Sequence, residues 1–327
     1  MVKPPVSSPH SYRDFKRGDW VTANAMLSSI DWNTHFLECS DTEEIYAHFS
    51  KLLNVSNEEF LKVARTMSDT EPTLIFIFNQ YAFNMTMNWL CNTISMRDVH
   101  ARTVLVTLDR VSYDNIGLIW PNITRFYWNR PFNYGDGYYH LFFLFRSNLA
   151  QAFLKLGKPF WMAQQDTFWR KSIFDLKLDD AQKEADIIFD KASDSALPLI
   201  AGRSFITKWP YERGHYKVRP TCGSRTFFKQ LSADLEHQYA PDNTYMSALC
   251  AHLAIINCEF IPFQKIANWM WLYEQSTQLA EVPYLLQFDG ERKLGGKLAA
   301  MKELGFYFLN KDALTCNASA VSVGIRF

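Results

Sequence analysis

Two short runs, Thr73-Leu-Ile-Phe-Ile-Phe78 and Thr103-Val-Leu-Val-Thr-Leu108, constrain this chain more than any other feature. Each is rich in β-branched and aromatic residues and lacks the polar alternation of a strand with one wet face. Such a run has to be covered on both sides, as in a parallel sheet clad with helices. Tyr81 to Ile94 lies between the two and reads as a helix, so the three segments form a β-α-β unit.

The pattern continues along the chain. Ile123 to Trp128 reads as a third strand after the Pro121-Asn122 turn. A helix opens at Gly135-Asp136-Gly137, with Tyr138, Leu141, Phe142, Phe145, Leu149 and Phe153 at helical spacing, and Gly157-Lys158-Pro159 stops it. Phe160 to Ala163 is a strand running into Gln164-Gln165-Asp166-Thr167. Ala185 to Phe189 and Leu197 to Ala201 are further strand candidates. Phe227, Phe228, Leu231 and Leu235 mark a helix with Ser224 as its cap, Pro241-Asp242-Asn243 breaks it, and Tyr245 to Ile255 resumes. Glu259 to Pro262 is a last short strand. The expectation is an α/β sheet with no internal repeat. Residues 1–70 are polar, helical in pattern and without a strand, so they look appended.

At about 150 residues per domain, 327 residues allow two domains or one large α/β domain with an extra segment. A hydrophobic fraction of 48% excludes global disorder. Basic and acidic residues balance at 34 each, which argues against a nucleic-acid or membrane-surface binder. Aromatic residues reach 16%, and most of them read as core. No apolar run has the length of a signal peptide or a membrane span, so the chain reads literally as soluble and unexported. The six cysteines form no Cys-x-x-Cys pair, which argues against a zinc ribbon. Cys250 and Cys258 are either a pair or two buried thiols. Sequons stand at Asn54, Asn84, Asn122 and Asn317.

In a doubly wound sheet, ligands collect at the carboxyl ends of the strands. Asp109 and Asp166 each stand where a strand ends. A carboxylate there can hold a divalent cation or a ribose hydroxyl, or it can cap the next helix. Pro159-Phe-Trp-Met-Ala-Gln-Gln-Asp-Thr-Phe-Trp169 with Phe174-Asp175 resembles the nucleotide-diphospho-sugar transferase family. So do Thr103 to Asp109, Asn133-Tyr-Gly-Asp136, Ala185 to Phe189, Leu199-Ile-Ala-Gly202, Phe227 to Leu235, Ala240 to Met246, and Gln287-Phe-Asp-Gly290 with Gly295-Gly-Lys297. The resemblance covers about residues 58–315, with 1–57 an appended segment and 316–327 a tail. It lies in the order of many segments.

The resemblance implies a three-layer α/β/α, GT-A-like (Rossmann-like) fold. It implies transfer of a sugar from a nucleotide-sugar donor to a glycan or protein acceptor, assisted by Mn²⁺ or Mg²⁺, in a family that works in the Golgi or secretory lumen. Asp166 falls on the second acid of the family's Asp-x-Asp, and Gln164 stands where the first should be. A glutamine oxygen can ligate but brings no charge, so the cation would be weakly held. Lys297 is a candidate for contacting the diphosphate or simply opens a helix. Asp109 would lie near the nucleotide. Asp242 matches the acid that meets the sugar, and it is either a catalytic carboxylate or a helix cap. Trp269 and Trp271 are candidates for stacking on a sugar, or for core.

Two segments depart from the family pattern. Arg203 to Arg213 reads as an insertion between two glycines, expected to protrude as a loop. Tyr12 to Trp20, with Leu27 to Trp32 and Phe36, resembles a linker of non-LTR retrotransposon polyproteins, too short for nuclease or polymerase activity. A non-catalytic relative that binds nucleotide or carbohydrate without turnover is the competing expectation.

Overall fold

The computed structural model describes residues 58–129, 140–176, 178, 185–191, 200–207, 222–237, 242–252, 256–272, 282–288 and 296–324. Of residues 140, 141, 200–207, 222, 237, 252, 269 and 270 it describes the backbone alone. The appended segment 1–57, with its retrotransposon-like stretch, lies outside the described residues, as does Asn133 to Asp136.

The predicted runs become β1 (Thr73–Phe78) and β2 (Thr103–Thr107), joined by α2 (Phe83–Thr93) and preceded by α1 (Glu58–Thr66). Next come α3 (Arg110–Ile119), β3 (Thr124–Tyr127), α4 (His140–Lys155), β4 (Phe160–Ala163) and β5 (Thr167–Trp169). They are followed by β6 (Ile187–Lys191), β7 (Ile200–Thr207), α5 (Cys222–His237), α6 (Asp242–His252), β8 (Cys258–Ile261), β9 (Ile266–Asn268) and β10 (Leu285–Gln287). The chain closes on α7 (Lys297–Glu303) and α8 (Ala318–Gly324). The larger sheet runs in the order β3-β2-β1-β4-β7-β6-β8, and a small sheet runs β5-β10-β9. Strands β3, β2, β1 and β4 are parallel, and β7 lies antiparallel between β4 and β6.

Period-two alternation sorts the side chains of β1 to opposite faces. Leu74, Phe76 and Phe78 join one core with Trp89 of α2, Trp161, and the small sheet's Trp169 and Leu286. Ile75 and Ile77 join the other with Phe153 of α4, Phe227 and Leu231 of α5, and Met246 of α6. All six residues of β1 are buried, as a strand covered on both sides must be. This is the three-layer α/β/α architecture expected from the sequence. Helix α4 stops at the predicted signal: Gly157 adopts φ +69°, and the Lys158 N–H returns to the Phe153 carbonyl at 3.0 Å.

The structure differs from the sequence reading at several points. The loop expected to begin at Arg203 does not begin there, because residues 203–207 continue β7. Phe205 pairs with Met162 and Phe189, and Ile206 pairs with Trp161 and Ile188, so this stretch joins the two halves of the sheet. Residues 208–213 lie outside the described residues. Ser224 sits inside α5 rather than capping it, and Asp242 is the first residue of α6. The small sheet was not anticipated beyond Thr167, because strands of three residues carry too little periodicity to read. Cys250 pairs with Cys258, and Cys91 pairs with Cys316 across 225 residues, tying the C-terminal segment to α2.

Candidate functional site

The strand order reverses between β1 and β4, since β2 and β3 lie on one side of β1 and the chain returns to β4 on the other. In open α/β sheets, ligands collect outside the carboxyl ends of the strands at such a reversal. Asp109 follows β2 and Asp166 follows β4, so both expected acids stand at this end of the sheet.

Asp109 caps α3, with one oxygen accepting from the Ser112 N–H at 2.8 Å. The other oxygen accepts from the Ser112 hydroxyl at 3.0 Å and from the Gln80 N–H at 2.6 Å. The carboxylate therefore also fixes the loop after β1 against the end of β2. Gln165 does the equivalent for β4, donating its amide to the Ile77 carbonyl at 3.0 Å.

Asp166 is the more deeply buried of the two acids. Only 3% of it is exposed, and it is held between two donors from far along the chain. The Gln287 amide in β10 donates to one oxygen at 2.6 Å, and the Lys297 ammonium donates to the other. The Asp166 carbonyl accepts from the Phe288 N–H at 2.8 Å, extending the pairing of β5 with β10. Lys297 opens α7 directly after Gly296, whose φ of +98° suits a residue without Cβ and turns the chain toward Asp166. The Lys297 side chain as a whole is 32% exposed. Gln287 was not anticipated as a partner of Asp166.

Among the described residues, the donor set at Asp166 does not fit a hard cation. Mn²⁺ and Mg²⁺ gather several oxygen ligands, mostly carboxylates and waters. Here the Asp166 carboxylate is already bonded by an ammonium and an amide, and Gln164 adds no charge. No group of three or more acidic, histidine or cysteine side chains that could hold a metal occurs among the described residues. The expected cation at Asp166 and Gln164 is thus not supported by the donors in place.

Two asparagines on α2 tie down backbone from other parts of the chain, Asn92 at β5 and Asn88 at the segment after α7. Asn92 accepts from the Trp169 N–H at 2.7 Å and donates to its carbonyl at 2.9 Å. It thereby pairs the free edge of β5 as another strand would. One turn earlier, Asn88 bonds the Phe308 N–H at 2.6 Å and the Phe306 carbonyl at 3.0 Å. Both asparagines are essentially inaccessible to solvent.

Asp242 makes a buried ion pair with Arg146 of α4 at 3.1 Å. Burial pushes its carboxyl above the usual range, while Arg146 and backbone N–H groups oppose the shift. Trp271 is 7% exposed and packed in the core beside α2 and the small sheet, as the core alternative anticipated. The Trp269 side chain lies outside the described residues.

Residues 98–301 match the sequence profile of a family described as nucleotide-diphospho-sugar transferase. The match does not extend to the N-terminal stretch read as retrotransposon-like, and nothing supports that resemblance. No curated protein sequence matches the chain. Among solved structures, the bifunctional glycosyltransferase WbbM is 10% identical over 68% of this chain and 46% of its own, with a TM-score of 0.45. The glycosyltransferase GlyE of Streptococcus pneumoniae TIGR4 is 11% identical over 78% of this chain and 63% of its own, at 0.47. Mouse xyloside xylosyltransferase 1 is 10% identical over 66% of this chain and 97% of its own, at 0.41. The chain thus spans less than two thirds of the first two. None reaches a TM-score of 0.5, so kinship rests on the profile alone. No helix among the described residues is long and apolar enough to cross a membrane.

Proposed function

Because the chain belongs to the nucleotide-diphospho-sugar transferase family, with the profile matching well over half of it, we propose that it moves a sugar from a nucleotide-diphosphate donor to a glycan or protein acceptor. In this reading the donor's diphosphate is received by Lys297, held in place by Asp166. The single observation supporting it is the Asp166–Lys297 pair at the carboxyl end of β4, where the strand order reverses.

In such a transfer the bond between the anomeric carbon and the diphosphate oxygen breaks, and its electron pair leaves with the diphosphate. The acceptor hydroxyl oxygen forms the new bond and gives up its proton. Negative charge builds on the departing oxygen, so a preorganised ammonium in a half-buried site stabilises the transition state more than the ground state. Mn²⁺ or Mg²⁺ is given no step, because the described donors do not fit one. Asp109 borders the nucleotide while capping α3. Asp242, buried against Arg146, positions the start of α6 in this reading instead of taking the acceptor proton. Trp269 is kept as a platform for the acceptor sugar.

A binder without turnover is the second reading, favoured by the uncharged Gln164. A thermal-shift screen of nucleotide sugars with EDTA or Mn²⁺ tests donor binding, and release of free sugar from the stabilising donor tests turnover. Stabilisation without release supports the binder. No stabilisation by any donor removes both readings.

A further inference from the structure

Four sequons occur in the chain, and the structure separates the three it describes. Asn317 is already used: its side-chain oxygen accepts from the Ala320 N–H at 3.1 Å at the start of α8, and its own N–H donates to the Phe308 carbonyl. Asn84 is exposed but lies inside α2. The hydroxyl of its sequon partner Thr86 is turned inward onto the Ala82 carbonyl at 3.0 Å, and Thr86 is fully buried. Asn122 differs from both. It is exposed, follows the exposed Pro121, and sits in the turn between α3 and β3. Its side chain makes no hydrogen bond among the described residues.

Its place in the fold suits a bulky attachment. Asn122 precedes β3, so it lies at the amino ends of the parallel strands, opposite the end that carries Asp166. Among the described residues, strand β3 is the outermost strand of the larger sheet, with three of its four residues half-exposed. Such an edge is a template for unwanted strand pairing unless something shields it. A hydrophilic glycan rooted at the mouth of β3 would provide that shield without obstructing the site.

The cysteines carry an independent signal. Cys91–Cys316 and Cys250–Cys258 are both closed, and no described cysteine is free. Structural disulfides form and persist in oxidising compartments, where N-linked glycans are also added. A chain folding there presents Asn122 on its surface, with Ile123 buried beneath it and Thr124 half-exposed.

We propose that Asn122 carries an N-linked glycan. The co-reactant is a lipid-pyrophosphate oligosaccharide. The Asn122 amide nitrogen forms a bond to the anomeric carbon, that carbon's bond to the pyrophosphate oxygen breaks, the lipid pyrophosphate leaves with the electron pair, and the amide loses one proton. The modification does not depend on the proposed sugar-transfer activity.

The test uses the full chain isolated from cells of its own source. Peptide N-glycosidase digestion in heavy-oxygen water, followed by mass spectrometry, converts each glycosylated asparagine to a labelled aspartate. Peptide mapping without reduction reads the disulfides in the same sample. The expected result is label at Asn122, none at Asn317, and a recovered Cys91–Cys316 peptide. In Asn122→Gln and in Thr124→Ala, expressed in the same cells, the enzyme-sensitive mobility step at this position disappears. An unlabelled Asn122 overturns the proposal, whether Cys91–Cys316 is found closed or reduced. Retention of the mobility step in both variants, with no label at Asn122, overturns it as well.

Discussion

Replacing Asn92 with alanine tests whether α2 acts as a surrogate strand beside β5. The asparagine bonds both the N–H and the carbonyl of Trp169, at 2.7 and 2.9 Å, where both residues are buried to within 1%. Alanine keeps the helix, and indeed favours it, but leaves two buried backbone groups without partners. At about 1–3 kcal/mol for each buried group left unsatisfied, the loss is about 2–6 kcal/mol. Unfolding entropy of about 2.1 cal/mol/K per residue, applied to 327 residues, converts this to a fall in Tm of about 3–9 °C. Differential scanning calorimetry on the oxidised protein measures it. Asn84→Ala, exposed on the same helix, is the control and should leave Tm unchanged or slightly raised. Trp169 follows Asp166 by three residues, so Asn92→Ala should also weaken nucleotide binding. A Tm for Asn92→Ala within about 1 °C of the parent would refute the surrogate-strand argument.

Three further outcomes follow from the fold. Removing Cys91–Cys316 by paired serine substitutions releases a constraint on a 225-residue separation, which chain entropy sets at about 5 kcal/mol. Hydrogen exchange should accelerate first in 306–324, and unchanged exchange there would argue against the tie. Burial holds the His100 imidazole below its ordinary value, so the unfolded chain takes up a proton first as pH falls. Stability should therefore decline below about pH 6.5 by at most about 1.4 kcal/mol per pH unit. His100→Phe should flatten that limb of a denaturation–pH profile, and an identical profile would remove His100 as its source. Deleting residues 203–213 takes away the part of β7 that pairs with β4 and β6. The deletion should give insoluble chain without native circular dichroism, whereas a soluble, cooperatively folding product would place the stretch outside the sheet.

What the sequence made legible was whatever burial on two faces imposes locally. The runs of β1 and β2 announce a parallel sheet because no other setting covers them, and Gly157 announces the end of α4 because it adopts positive φ. Asp109 and Asp166 were readable as strand-end acids for the same reason. The partners of Asp166 were not, since Gln287 and Lys297 reach it across 121 and 131 residues. No local pattern encodes a pairing at that distance. The supporting asparagines did leave a trace. Asn88 and Asn92 stand four apart on a helix of otherwise apolar face, where a buried amide must find partners. Residues 203–207 were misread because the chain departs from the family's spacing there. Their own Phe205, Ile206 and Thr207 are strand formers, and sheet pairing outweighed the gap in the pattern.

The central claim is that Lys297, anchored by Asp166, receives the donor's diphosphate. Isothermal titration of UDP and GDP into the full chain in EDTA, alongside Lys297→Ala and Asp166→Asn, tests it most directly. The account predicts that one nucleotide binds without Mn²⁺ and that each variant loses at least about tenfold in affinity, the equivalent of about 1.4 kcal/mol. Binding that requires Mn²⁺, or that survives Lys297→Ala at full strength, would contradict it.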